Sequence, residues 1–89
     1  MKTIICGIPF EIVMRERTTP VDGNYGLMSG KEARIYLDAK IPKAMREATL
    51  VHEWMHAVFE CNGIEHEEVQ IAVMATELYR NGFRVKVEK

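Results

Sequence analysis

The chain has 89 residues, 47% hydrophobic and 28% charged, with 12 basic and 13 acidic side chains and a formal net charge of −1. This describes a single small domain, 1–89, with apolar residues for one core and a stability margin thin enough for a bound metal to matter. The charge balance leaves no electrostatic footprint for nucleic acid or an anionic membrane surface, and no run approaches the ~20 apolar residues that span a bilayer.

Thr3-Ile4-Ile5-Cys6 is β-branched and apolar, and after Gly7 the run Phe10-Glu11-Ile12-Val13-Met14 resumes the pattern, so two strands are expected. Gly7, Pro9 and Glu11 interrupt the first run too early for a secretory signal. Without one, the separated Cys6 and Cys61 are expected to be buried thiols and the protein cytoplasmic. Residues 15–30 carry turn chemistry in Pro20, Asp22-Gly23-Asn24, Gly26 and Ser29-Gly30, and are expected to form a loop or long connection. Ala33 to Asp38 alternates, with Ile35 and Leu37 on one side, as a third strand with one buried face.

Pro42 suits the start of a helix, where its missing N–H costs nothing. From Lys43 to Glu60 the period is helical, with Met45, Ala48, Thr49, His52, Met55, His56 and Phe59 on one face and Asn62-Gly63 as the stop. A second helix is expected from about Glu65 to Asn81, with Ile71, Ala72, Met74, Ala75, Leu78 and Tyr79 on its apolar side. Phe83 to Val87 alternates as a short last strand or extended tail. Strands first and helices after argue for an α+β fold: a small antiparallel sheet of about three strands, with two helices packed on one face.

His52-Glu53-Trp54-Met55-His56 is an H-E-x-x-H motif. On a helix, residues four apart point to the same spot, and two neutral imidazoles there suit zinc. Glu53 sits about 100° round the helix from His52, beside such a metal, where it can take a proton from an activated water. A catalytic zinc needs a third protein ligand, and the start of the second helix offers His66, Glu67 and Glu68. Glu68 shares a face with Ile71, Ala72 and Ala75, and Glu67 with Ile71, Met74 and Leu78, so periodicity leaves the choice open. The cluster Glu65, Glu67 and Glu68 also fits a solvated first turn favoured by the helix dipole.

The run from Ala48 to Val58, Ala-Thr-Leu-Val-His-Glu-Trp-Met-His-Ala-Val, resembles the T-L-x-H-E-x-x-H-A segment of small zincins encoded by phages and mobile elements, which are related to the ImmA/IrrE-like metallopeptidases. Gly7 to Val13 resembles their N-terminal hairpin, and Arg34 to Asp38 resembles their I-x-[IL]-D strand. Glu68-x-x-Ile71-x-x-Met74-Ala75-x-x-Leu78 is similar to their E-x-x-V-x-x-L-A-x-x-L helix, whose Glu completes the metal site. The resemblance implies a minimal zincin-like metallopeptidase domain with zinc on His52, His56 and Glu68. It implies Glu53 as general base and a protein or peptide as substrate.

An extended substrate would be expected to pair along the strand Ile35–Asp38. Tyr25, Tyr36 and Tyr79 are candidates for stabilising a developing oxyanion, though ordinary packing is the expected role of each. Trp54 points away from the metal side, and the six Met residues suit adaptable core filling. The rival reading is a zinc-containing protein-binding or regulatory module without catalysis.

Overall fold

A computed structural model describes residues 1–16 and 25–89. The elements in order are strands β1 (Lys2–Ile5), β2 (Ile8–Arg15), β3 (Gly26–Ser29) and β4 (Arg34–Asp38), then helices α1 (Lys43–Cys61) and α2 (Glu68–Arg80). The class is α+β. β1 and β2 form a hairpin in which Ile5 pairs with Ile8 across a two-residue turn. Both turn residues, Cys6 and Gly7, have positive φ, the twist that a tight hairpin requires. Alternation then buries Thr3 and Ile5 from β1 and Phe10 and Ile12 from β2 on one face.

The sheet departs from expectation in having four strands, in the order β1-β2-β4-β3, and in being mixed. The extra strand, β3, lies in the stretch read as turn-rich. It is four residues long, begins with glycine and buries no side chain, so it lacks the alternation that marks a strand. The turn signals at Pro20 and Asp22-Gly23-Asn24 lie outside the described residues. After β2 the chain returns as the outer strand β3, antiparallel to β4, which therefore runs parallel to β2. β4 is thus flanked on both sides, and the expectation that Ile35–Asp38 offers a pairing edge is corrected: among the described strands the outermost on this side is β3.

The helices do not both lie on the sheet. α1 packs against β1, β3 and β4, whereas α2 touches only α1 among the described elements, giving three layers. The reason is that α1 carries two apolar stripes. Ala57, with Leu50, Trp54 and Val58, joins Ile5, Phe10, Ile12, Ile35 and Leu37 in the core over the sheet. Val51 and Met55 meet Ile71 and Ala75 in a second core between the helices, where Val51 and Ile71 are fully buried. Met74, expected on the apolar side, is exposed.

Trp54 borders both cores and packs against Phe83, with ring centroids 5.1 Å apart. The C-terminal stretch is an extended tail that, among the described residues, forms one strand-like bridge, between Lys2 and Glu88. No helix among the described residues is long and apolar enough to cross a membrane.

The cysteines also differ from expectation. Cys6 and Cys61 are exposed and joined in a disulfide, with Cα atoms 6.6 Å apart and a sequence separation of 55. Packing α1 on the sheet brings its last residue against the β1–β2 turn, a proximity that sequence spacing does not encode.

Candidate metal centre

α1 is entered after Pro42 and ends at the Asn62-Gly63 turn, so His52 and His56 lie well inside it with backbone fixed by helical hydrogen bonds. Their Nε2 atoms are 3.2 Å apart. Glu68 opens α2 and reaches across the interhelical seam. One carboxylate oxygen lies 2.6 Å from His52 Nε2 and the other 2.8 Å from His56 Nε2. The register of α2 puts it there: Glu67 is the N-cap residue, and its N–H donates to Gln70 Oε1 at 2.9 Å. Glu68 therefore takes the first helical position, where the positive end of the helix favours its charge.

The three candidates for the third ligand are separated by this geometry. Glu68 meets both imidazoles, and Glu67 is occupied with starting the helix. His66 lies on the other side of the His56 ring, its Nε2 2.9 Å from His56 Nδ1. His52, Glu53 and His56 also form a group whose possible ligand atoms lie within 4.8 Å of one another. We assign Glu53 to the neighbourhood rather than the ligand set, because Glu68 is the carboxylate that reaches the Nε2 atoms of both imidazoles.

The donors fit zinc in type and spacing. Tetrahedral ligands on bonds of about 2.0–2.1 Å lie about 3.3 Å apart; the two imidazole nitrogens, 3.2 Å apart, match that spacing, while the two Glu68 oxygens lie closer, 2.6 and 2.8 Å from them. Two imidazole nitrogens and a carboxylate turned towards one point repel unless a proton or a metal lies among them. Burial is the main cause holding the His56 pKa below its ordinary value; Glu68 opposes the shift, and His52 and His66 add to it. A neutral His56 keeps an electron pair available to a metal.

Burial also raises the pKa of Glu53. His52 offsets the shift, Glu68 reinforces it, and the Met28 N–H opposes it. A carboxylate whose proton affinity is raised in this way is a better base.

A cleft of about 470 Å³ opens beside these groups, walled by Tyr25, Gly26, Ala48 and Thr49 on one side and Ala75, Thr76, Tyr79 and Arg80 on the other. Gly26 is a site residue that the sequence reading missed. A Cβ there would lie 2.6 Å from Thr49 Cγ2 and 3.2 Å from Glu53 Cγ, so only glycine lets β3 approach the helix this closely. The one signal was a glycine in a stretch already rich in turn residues. Of the three tyrosines, Tyr25 and Tyr79 line the cleft. Tyr36 does not: its hydroxyl donates to Glu32 Oε1 at 3.3 Å and its ring lies under the Arg15 guanidinium.

Comparison with protein-family models, with curated proteins and with solved structures gives no match for this chain.

Glu68→Gln is expected to weaken zinc binding by more than the ~10–100-fold typical of losing an outer partner of a metal ligand. Glu67→Gln should leave it nearly unchanged. Competition with a chromophoric chelator measures both, and the reverse ranking would move the ligand to Glu67.

Proposed function

We propose that this chain is a zinc-dependent peptidase of the small zincin type met in phages and mobile elements, with His52, His56 and Glu68 as metal ligands and Glu53 as general base. The observation that carries the reading is the convergence of His52 Nε2, His56 Nε2 and both Glu68 oxygens within 2.6–3.2 Å, beside an open cleft. The bound metal would supply Lewis acidity, polarising the scissile carbonyl and acidifying water.

Glu53 stands one residue from His52, faces the same cleft, and is oriented by the Met28 N–H. It would take the proton of the attacking water and deliver it to the departing amine. Tyr25 and Tyr79 are the hydroxyls near enough to the cleft to steady the carbonyl oxygen. The substrate class is a peptide or protein segment that reaches the cleft between β3 and α2.

A second reading, a zinc-containing binding module without catalysis, is favoured by one feature. Val69 and Val73, 62% and 59% exposed, form with Ile64 and Met74 an apolar patch on the outside of α2. Such a patch suits a protein partner.

The compartment also belongs to this proposal. The cytoplasmic setting expected from the sequence rested on the interrupted N-terminal run, the lack of a spanning segment and cysteines read as buried thiols. The Cys6–Cys61 bridge favours a setting in which disulfides persist.

The test is metal content followed by cleavage. Protein purified without chelator should carry one zinc per chain, lose it in His52→Ala and in His56→Ala, and hydrolyse members of a mixed peptide library. Absence of zinc from the native protein, with none taken up on titration, would sink the metal site and the peptidase together.

A further inference from the structure

The structure assigns His66 a role as positioning residue: through a hydrogen-bond chain that ends on the Ile64 carbonyl, it fixes which nitrogen of His56 is left bare to bind metal. This inference rests on the zinc reading above and deepens it.

The chain has two links. His66 Nδ1 lies 3.1 Å from the carbonyl oxygen of Ile64, and His66 Nε2 lies 2.9 Å from His56 Nδ1. A carbonyl oxygen can only accept, so the first link requires the proton on His66 Nδ1. A neutral His66 then has a bare Nε2, which can only accept in the second link. That puts a proton on His56 Nδ1, and a neutral His56 has its bare nitrogen at Nε2. This nitrogen faces His52 Nε2 at 3.2 Å and a Glu68 oxygen at 2.8 Å, an arrangement of electron pairs that a metal among them would satisfy. Reversing the chain would turn the His66 Nδ1 electron pair against the Ile64 oxygen.

Local structure holds the chain in place. Ile64 is itself anchored, its N–H donating to the Phe59 carbonyl at 2.9 Å across the end of α1. The His66 ring is half-buried and stands edge-on to Phe59, with centroids 5.4 Å apart. His66 therefore acts through His56 and does not share its metal. A metal-binding imidazole ordinarily has its other nitrogen committed in this way, usually to a carboxylate or carbonyl. Here the carbonyl lies one imidazole further back.

The test uses the full chain as wild type and two variants. In the zinc-loaded wild type, long-range proton–nitrogen spectra should show His56 ligating through Nε2 and protonated at Nδ1. His66→Phe keeps a ring beside Phe59 but offers no acceptor, so the His56 Nδ1–H resonance should shift as it loses its partner and zinc affinity should fall ~10–100-fold. His66→Gln places an amide oxygen near the lost Nε2 and should restore both the resonance and most of the affinity.

His56 ligating through Nδ1 in the zinc-loaded wild type would overturn the inference, as would unchanged zinc affinity in a folded His66→Phe. Loss of affinity in His66→Phe that His66→Gln does not restore would also overturn it, leaving only a packing role. Failure of the zinc reading shows itself separately, as a wild type that takes up no zinc before any variant is compared.

Discussion

Glu53→Gln is expected to fold, keep its zinc and lose about 10²–10⁴-fold in peptide hydrolysis, the usual worth of a general base. The substitution preserves the volume of the side chain and an oxygen that can still accept the Met28 N–H. It removes a carboxylate that burial already penalises, so stability should hold or rise slightly. The metal should stay, because the atoms that converge belong to His52, His56 and Glu68.

What disappears is basicity at the mouth of the cleft. The measurement is cleavage of a mixed peptide library by wild type and variant at equal zinc occupancy. Undiminished cleavage by the variant would remove Glu53 from the mechanism. No cleavage by either protein, alongside a partner interaction that survives the substitution, would favour the binding module and direct attention to the apolar patch of Val69 and Val73 on α2.

What could be read from the sequence was what depends on short range. His52, Glu53 and His56 lie within one helical turn, so the 3.6-residue period alone brings the two imidazoles together. Glu68, proposed as the third ligand, was legible only as one choice among neighbours. Its register depends on where α2 begins, and that is set by Glu67 and Gln70, residues outside the proposed metal site. A shift of one residue would have presented Glu67 instead.

Longer-range features were hidden in proportion to their separation. α1 showed one broad apolar face in the sequence because a stripe facing the sheet and a stripe facing α2 merge when their packing partners are unknown. β3 has four residues and none buried, so the only trace of it was Gly26, whose meaning emerges when Thr49 and Glu53 are seen against it. The position of His66 depends on the backbone turn that aims the Ile64 carbonyl, and composition carries no record of that.

Opening the Cys6–Cys61 bridge is expected to lower the melting temperature sharply while leaving the metal centre assembled in the cold. The bridge joins residues 55 apart, enclosing β2, β3, β4 and α1 in one loop. For a loop of that length, chain entropy gives an upper figure of about 4 kcal/mol, since the unbridged unfolded chain regains the freedom the cross-link removed. In a domain this small, that corresponds to a drop on the order of 15–30 °C.

Both cysteines are exposed, so a reductant can act on the folded protein. The site itself is pinned elsewhere. His52 and His56 are held by α1, and Glu68 is held by the packing of Ile71 and Ala75 against Val51 and Met55. The turn beyond Cys61 keeps its own tie through Asn62 Nδ2, which donates to the Val58 carbonyl at 2.8 Å. Zinc affinity well below the melting transition should therefore change little on reduction.

The experiment is thermal unfolding of zinc-loaded protein with and without a thiol reductant, beside a variant carrying Cys6→Ser and Cys61→Ser. The wild type should fall to the melting temperature of the double variant, and the variant should not respond to reductant. A wild type indifferent to reductant, melting together with the double variant, would mean that the two sulfurs are not joined in solution. Free thiols at Cys6 and Cys61 would then fit a reducing compartment.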